Sequence, residues 1–234
     1  MAEHDRHCWS ILLLDNDVLV VDKPAGLCVF TQPGSLSGTL SEQLLDAGYS
    51  LYDGPGVELP GVVHRLDRDT SGVIAFARTR LGFEILKAHF VDGRANKRYV
   101  ALVSGLVDVR HGKIEVPIGA KRTQGLLLRH ADSSGRPSVT EFDVIRRFAR
   151  NVTLLRLRLE TGRTHQIRVH CSYIGHPVLG DYTYGYRDRH GIVVPRQMLH
   201  ASSLEVVLPA SGRKVLVVAS LPADMKSVLG ALST

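Results

Sequence analysis

Residues 155–160 read Leu-Arg-Leu-Arg-Leu-Glu, a strict alternation of apolar and charged side chains. Successive side chains on an extended strand point to opposite faces, so a period of two rules out a helix here. It predicts a half-buried strand with a basic outer face. The rest of the chain mixes such strands with amphipathic helices. Ser10–Leu14 and Val18–Asp22 read as two short strands joined by the turn-rich Asp15-Asn16-Asp17, and Lys23-Pro24-Ala25-Gly26 then breaks the pattern. A helix is predicted from Thr39 to Ala47. Thr39 and Glu42 have capping-box spacing, Leu40 and Leu44 share a face, and Gly48 sits at the expected stop. Leu51–Pro60 is a Gly/Pro loop, and Val73–Ala77 a strand.

Thr79 opens a second helix with Phe83, Leu86 and Phe90 on one side and Gly93 at its end. Arg98–Val103 is a strand. Lys113–Thr140 has hairpin character, with loops predicted at Gly119–Gly125 and Asp132–Pro137. Thr164–Ile174 reads as a third helix with Ile167, Cys171 and Ile174 as its apolar stripe and Gly175 as its stop. Strands at Ser202–Leu208 and Lys214–Ala219 flank a turn at Pro209–Gly212. Met225, Val228, Leu229 and Leu232 mark a closing amphipathic helix. The mixture is α+β, without the regular alternation of a doubly wound fold.

With 234 residues, 44% of them apolar, the chain can bury a sizeable core without disulfides. Charged residues at 22% exclude wholesale disorder. There are 29 Lys and Arg against 23 Asp and Glu, a net +6 that permits a polyanionic partner without proving one. Apolar runs such as Ile11–Leu14 and Leu19–Val21 fall far short of the roughly 20 residues that span a bilayer, so no membrane partner is expected. The charged amino terminus is unlike a secretory signal, which points to an intracellular, cytoplasmic protein. Cys8, Cys28 and Cys171 form no C-x-x-C and read as buried, inert thiols of a reducing compartment.

Several chemistries fail on spacing. There is no G-x-x-x-x-G-K-[ST], no G-x-G-x-x-G and no G-x-S-x-G. His165 and His170 lie five apart, about 500° of helical rotation, so they do not face one metal and read as structural histidines. No ligand cluster supports a metal-dependent phosphodiesterase.

Two segments remain. Gly61-Val62-Val63-His64-Arg65-Leu66-Asp67-Arg68-Asp69-Thr70-Ser71-Gly72-Val73 sets carboxylates among arginines between apolar strands. Nearby positive charge keeps such a carboxylate ionised as nucleophile or base, although a solvated turn with internal ion pairs has the same composition. Leu159-Glu160-Thr161-Gly162-Arg163-Thr164-His165-Gln166-Ile167-Arg168-Val169-His170 joins a strand to a helix and puts polar groups in its first turn, either to meet a phosphate or to cap the helix.

Together these segments resemble the RluA-type RNA pseudouridine synthase family. The resemblance rests on His64-Arg65-Leu66-Asp67 with Thr70-Ser71-Gly72, on Asp22-Lys23-Pro24-Ala25-Gly26, on Lys97-Arg98-Tyr99 and on Thr161–Arg168. Gly175-His176-Pro177-Val178-Leu179-Gly180-Asp181 with Tyr184-Gly185, and Leu199-His200-Ala201, complete it. The motifs follow the family's order from about Leu12 to Leu221.

The resemblance implies an enzyme, an isomerase that converts uridine in RNA to pseudouridine by breaking the N1–C1′ bond, turning the uracil and rejoining it through C5, with no cofactor and no metal. It implies the family's α+β fold, a long mixed and mostly antiparallel sheet with helices and loops around a central cleft in which Asp67 and Arg168 meet. Residues 11–234 would be the catalytic domain and 1–10 a tail, with no separate amino-terminal RNA-binding domain. Asp67 matches the catalytic Asp, acting on the sugar as nucleophile or at C2′ as base. Arg168 matches the arginine paired with it, and Tyr99 the aromatic that stacks on uracil and helps remove the C5 proton. Asp69 is given a local structural role.

Arg65 is placed in the stack vacated by the base, or in an ion pair with Asp69, or on a phosphate. His64, Arg163, Thr164, His165 and Gln166 shape the site or touch RNA. Lys23 contacts the RNA backbone or caps its own turn. The partner is ribosomal or transfer RNA, with the uridine in a loop or flipped from a stem, met by a monomer. Residues 62–98 hold eight Lys/Arg against four Asp/Glu, and Lys121, Arg122, Arg146, Arg147, Arg150, Arg156 and Arg158 extend the basic character. The rival reading is a non-catalytic RNA-binding or RNA-folding module on the same scaffold.

Overall fold

A computed structural model describes residues 8–31, 38–123, 126–189 and 191–233. Its elements are β1 (Ser10–Leu14), β2 (Val18–Lys23), α1 (Leu40–Asp46), β3 (Ser71–Ala77), α2 (Arg80–Val91), β4 (Lys97–Ser104), β5 (His111–Glu115), β6 (Ile118–Thr123), β7 (Leu126–Ala131), β8 (Val139–Phe148), β9 (Val152–Leu159), α3 (Gln166–Tyr173), β10 (Leu199–Val207), β11 (Lys214–Val218) and α4 (Ala223–Ser233). Every strand pair with an assigned register is antiparallel. The class is α+β. The chain divides into two compact units, residues 1–95 with 201–220, and residues 96–200 with 221–234.

The first unit orders its strands β1-β2-β3-β10, with β11 on β10. The Asp15–Asp17 turn forms as predicted: the Asp17 amide donates to Asp15 Oδ1 at 3.1 Å and closes the β1–β2 hairpin. Both predicted caps are present. Thr39 accepts from the Glu42 amide while Glu42 reaches back to the Thr39 amide, and Thr79 accepts from the Gly82 amide. Thr79 also donates to Asp17, which ties α2 to the end of the first hairpin. Val18, Val20, Val73, Ala75, Phe83 and Leu86 form the core beneath. At Gly72, φ is +112° and an added Cβ would lie 2.1 Å from the Ala201 carbonyl oxygen, so only glycine lets the strand following the Asp67 loop lie this close to β10.

The second unit orders its strands β4-β9-β8-β5 and adds the two-stranded β6–β7. The alternation in β9 comes out as read: Leu155, Leu157 and Leu159 are buried while Arg156 and Arg158 are exposed. Arg158 pairs with Glu141 across the strands at 2.7 Å, an exposed contact worth little. Gly119–Thr123, read as loop, is strand instead, while residues 124 and 125 of that expected loop lie outside the described residues. Gly119 is not a breaker. An added Cβ there would meet Asp132 Oδ2 at 2.4 Å, so the glycine serves close packing within the hairpin. Helix α3 starts two residues later than read, and Gln166–Cys171 are buried all round rather than along one stripe. The closing helix docks through Met225, Val228 and Leu232, and Arg196 grips its Asp224 with bonds of 2.6 and 3.1 Å. Cys171 is buried and its thiol is pushed up to about 12 by burial, with the Asp181 charge adding to it. Cys8 departs from the buried reading, because it is exposed, and Cys28 is half-buried.

Candidate active site

In the first unit, Asp67 sits half-buried on a loop that is tied down on both sides. Behind it, the Asp67 carbonyl accepts from the Thr70 amide at 3.1 Å. Beside it, Arg68 and Gly26 exchange two bonds, the Gly26 amide to the Arg68 carbonyl at 3.0 Å and Arg68 Nε to the Gly26 carbonyl at 3.1 Å. Lys23 completes this clamp. Its ammonium is fully buried and donates to the carbonyls of Pro24, Leu27 and Arg68 at 2.8, 2.8 and 2.9 Å. Of its two expected roles the structure gives the turn cap, and the expected RNA contact is corrected: a lysine with no exposed surface has nothing to offer a phosphate.

His64 also turns inward. Its Nε2 accepts from the Ala75 amide of β3 at 2.9 Å, and its ring stacks on Phe90 at 4.1 Å. Both contacts pin the start of the loop. Arg65 is exposed, with its guanidinium 5.1 Å from the centre of the Phe30 ring. A guanidinium that seeks an aromatic face can equally stack on a base.

In the second unit, Tyr99 and Lys97 fall two apart on β4, so both point to one face, and both are 8% exposed. Burial first, then the nearby Arg163 guanidinium, push the Lys97 ammonium down from 10.5 to about 8. The unfolded chain therefore holds this proton more tightly. Stability from Lys97 is lowest below pH 8 and rises as pH climbs from about 8 to about 10.5. In Lys97→Met this rise, about 3 kcal/mol, should vanish, as read by urea unfolding at pH 7 and pH 10.5. A variant that gains as much as the wild type over that range would overturn it.

Arg168 projects from α3 and is 8% exposed. It grips Asp181 through Nε at 2.6 Å and Nη2 at 2.9 Å, a bidentate pair that fixes the guanidinium plane. Asp181 itself is 2% exposed. The ring of Tyr184 lies under the same guanidinium at 4.8 Å. The Tyr184 hydroxyl bonds His165 Nδ1 at 2.7 Å and accepts from the Arg129 amide of β7 at 3.3 Å. His165 sits in the left-handed region, φ 58°, a conformation that costs about 1 kcal/mol outside glycine.

Gln166 is 2% exposed with its amide saturated. It accepts from Thr161 Oγ1 and the Arg163 amide, and donates to the Val139 carbonyl and Thr140 Oγ1. It locks the 160–166 loop to β8, and the expectation that it touches RNA is corrected to a shaping role. Arg163 Nε donates to the Pro137 carbonyl at 3.2 Å, and Thr164 is half-buried beside it. His170 bonds Thr140 Oγ1 and the Val116 carbonyl, both at 2.9 Å, as a structural histidine. Reading the residues gave no role to Asp181 or Tyr184. Their Asp-x-x-Tyr spacing within the motif from Gly175 to Gly185 was the only signal.

A carboxylate on a clamped loop, a buried tyrosine and a rigid buried arginine now stand on motifs in one family's order. The family described as RNA pseudouridylate synthase matches residues 17–173. The chain belongs to the RNA pseudouridylate synthase family. The synthase is 42% identical over 217 residues to a Bacillus subtilis protein named uncharacterized RNA pseudouridine synthase YlyB, covering 92% of this chain and 70% of that one. It is 38% identical to the ribosomal large subunit pseudouridine synthase D of Zymomonas mobilis, covering 93% and 70%. It spans 59% of the length of an Aquifex aeolicus relative named as an RNA pseudouridine synthase. Among solved structures, human RNA pseudouridylate synthase domain containing 1 superposes with a TM-score of 0.71 at 27% identity, over 100% of this chain and 98% of that one. Proteins of this name are isomerases. Among the described residues no helix of the synthase is long and apolar enough to cross a membrane.

Proposed function

We propose that this chain isomerises uridine in large-subunit ribosomal RNA, working as a monomer inside the cell without metal or cofactor. The observation that carries the reading is an intact Asp67, Tyr99 and Arg168 in a chain 38% identical, over 93% of its length, to a protein named ribosomal large subunit pseudouridine synthase D. In this reading the Asp67 carboxylate acts on the ribose, Arg168 is the cation that the family resemblance gives that carboxylate, and Tyr99 faces the uracil. The reaction is balanced within the substrate: the C1′–N1 bond breaks, C1′–C5 forms, C5 loses a proton and N1 gains one. The base must first leave its stack, at a cost of a few kcal/mol. Arg65, exposed and already over a ring face, fills the gap it leaves. Arg163, Thr164 and His165 line the RNA side, with Gln166 and His64 shaping it from behind.

The test is pseudouridine mapping of total RNA from cells with and without the gene, with rescue by the intact protein and by Asp67→Asn. Loss of one or a few large-subunit sites, restored only by the intact protein, is the expected result. Loss confined to transfer RNA would replace the substrate and keep the reaction. Equal rescue by Asp67→Asn would favour the RNA-folding module instead.

A further inference from the structure

The two-stranded β6–β7 has no third strand among the described residues, and an isolated hairpin of this kind is marginally stable in water. What tethers it therefore matters. It carries exposed Lys121 and Arg122 on β6, so it presents positive charge. One tether is the Arg129 amide, which donates to the Tyr184 hydroxyl at 3.3 Å. Tyr184 also touches both Arg168 and the carboxylate that grips it. Its ring face lies 4.8 Å from the guanidinium. Its amide donates to Asp181 Oδ1 at 3.3 Å, the oxygen that accepts from Arg168 Nη2. Because the hydroxyl oxygen accepts from Arg129, its own proton is available to His165 Nδ1 at 2.7 Å. That bond holds His165 in its left-handed turn, three residues before Arg168 in the chain.

We propose that Tyr184 is a positioning residue that joins Arg168 to the β6–β7 hairpin, so that the RNA-facing hairpin and the buried guanidinium move as one body. The inference rests on the proposed function only in assigning Arg168 to the reaction; the joint itself is a property of the fold. It explains why a polar hydroxyl, rather than a phenyl ring, stands beneath the arginine: the ring serves the guanidinium, and the hydroxyl serves the hairpin.

Tyr184→Phe keeps the ring and removes the joint. In the whole chain, amide exchange at Arg129 should quicken at least tenfold, and the Arg168 Nε–H resonance should lose protection in step, while amides of the β8–β9 ladder keep theirs. On transcribed large-subunit ribosomal RNA carrying tritium at uridine C5, kcat should fall about tenfold, the worth of one hydrogen bond, with KM within twofold. A purely structural role would lower the melting temperature and leave kcat per folded molecule unchanged. A second pair of variants reaches the joint from its other side. Arg129→Pro removes the amide donor at an outward-facing strand position, where proline is tolerated, and Arg129→Ala retains it. The Pro variant should reproduce the kcat loss and the Ala variant should not.

Unchanged exchange at Arg129, or Arg168 Nε–H that stays protected when Arg129 opens, would overturn the proposal. So would faster exchange at both with kcat intact. If the wild-type chain releases no tritium from any RNA, the functional reading has failed, and the paired exchange of Arg129 and Arg168 alone decides the joint.

Discussion

Asp67→Asn should lower turnover at least about 10³-fold while the protein folds normally and binds RNA as tightly as before. The amide keeps the size and most of the hydrogen bonding of the carboxylate, but it can neither attack the ribose nor take a proton, and loss of either role is worth about 10² to 10⁴ in rate. Backbone bonds hold the loop that carries it. The Thr70 amide bonds the Asp67 carbonyl, and Lys23 and Gly26 bond the next carbonyl along, so the backbone keeps its path. Affinity for RNA should hold or rise slightly, since a negative charge facing a polyanion has been removed. Tritium release from C5-labelled RNA, set beside a filter-binding titration, separates the two quantities. Residual turnover above about one part in a hundred would take Asp67 out of the chemistry.

Lys23→Met should destabilise the fold by about 3–5 kcal/mol, the cost of three bared acceptors less the relief of no longer burying an ammonium. Methionine fills the same volume, so the loss is not one of packing. It leaves the carbonyls of Pro24, Leu27 and Arg68 without their shared donor, and each buried acceptor left bare costs about 1–3 kcal/mol. For a chain of this length the melting temperature should fall by roughly 6–20 °C. Below the transition, the salt dependence of RNA binding should not change, because a lysine that touches no phosphate releases no counterion. A shallower salt slope with an unchanged melting temperature would return Lys23 to the RNA surface. The turn at Lys23–Gly26 and the Asp67 loop should also share their exchange behaviour, since one ammonium holds both.

Much of the fold was legible because it is written in short range. Thr39 with Glu42, and Thr79 with the Gly82 amide, are caps made within three residues. The β9 alternation needs no neighbour to be read. The Asp15–Asp17 turn closes on its own side chain. Reading failed where a residue's local habit was overridden from a distance. Gly119 has the look of a loop residue, yet it lies in a strand because it pairs with His130 across the hairpin. Thr164 and His165 look like the first turn of a helix, yet His165 is held left-handed with its ring on Tyr184, nineteen positions along.

The candidate site divides in the same way. The assignment of Asp67, Tyr99 and Arg168 to the reaction came only through the family resemblance; composition and spacing alone left a solvated turn and a capped helix open. Which polar side chains turn inward was not legible from chain neighbours alone. Lys23, His64 and Gln166 are residue types expected at a surface, and each proved to be spent internally.

The sequence by itself determined the existence and type of most strands and helices, which residue types each motif offers, and the family to which the order of those motifs belongs. The tertiary structure alone decided which charges are buried, with what partners. The Arg68 carbonyl that occupies Lys23 lies 45 residues away, and the Asp181 carboxylate that fixes Arg168 lies 13 away. A helix amide or a cap finds its partner within about a turn of chain, so neighbours suffice to predict it. A buried ammonium or guanidinium is tolerated only where distant segments close over it with enough oxygens to replace water, and no local pattern records which segments those are.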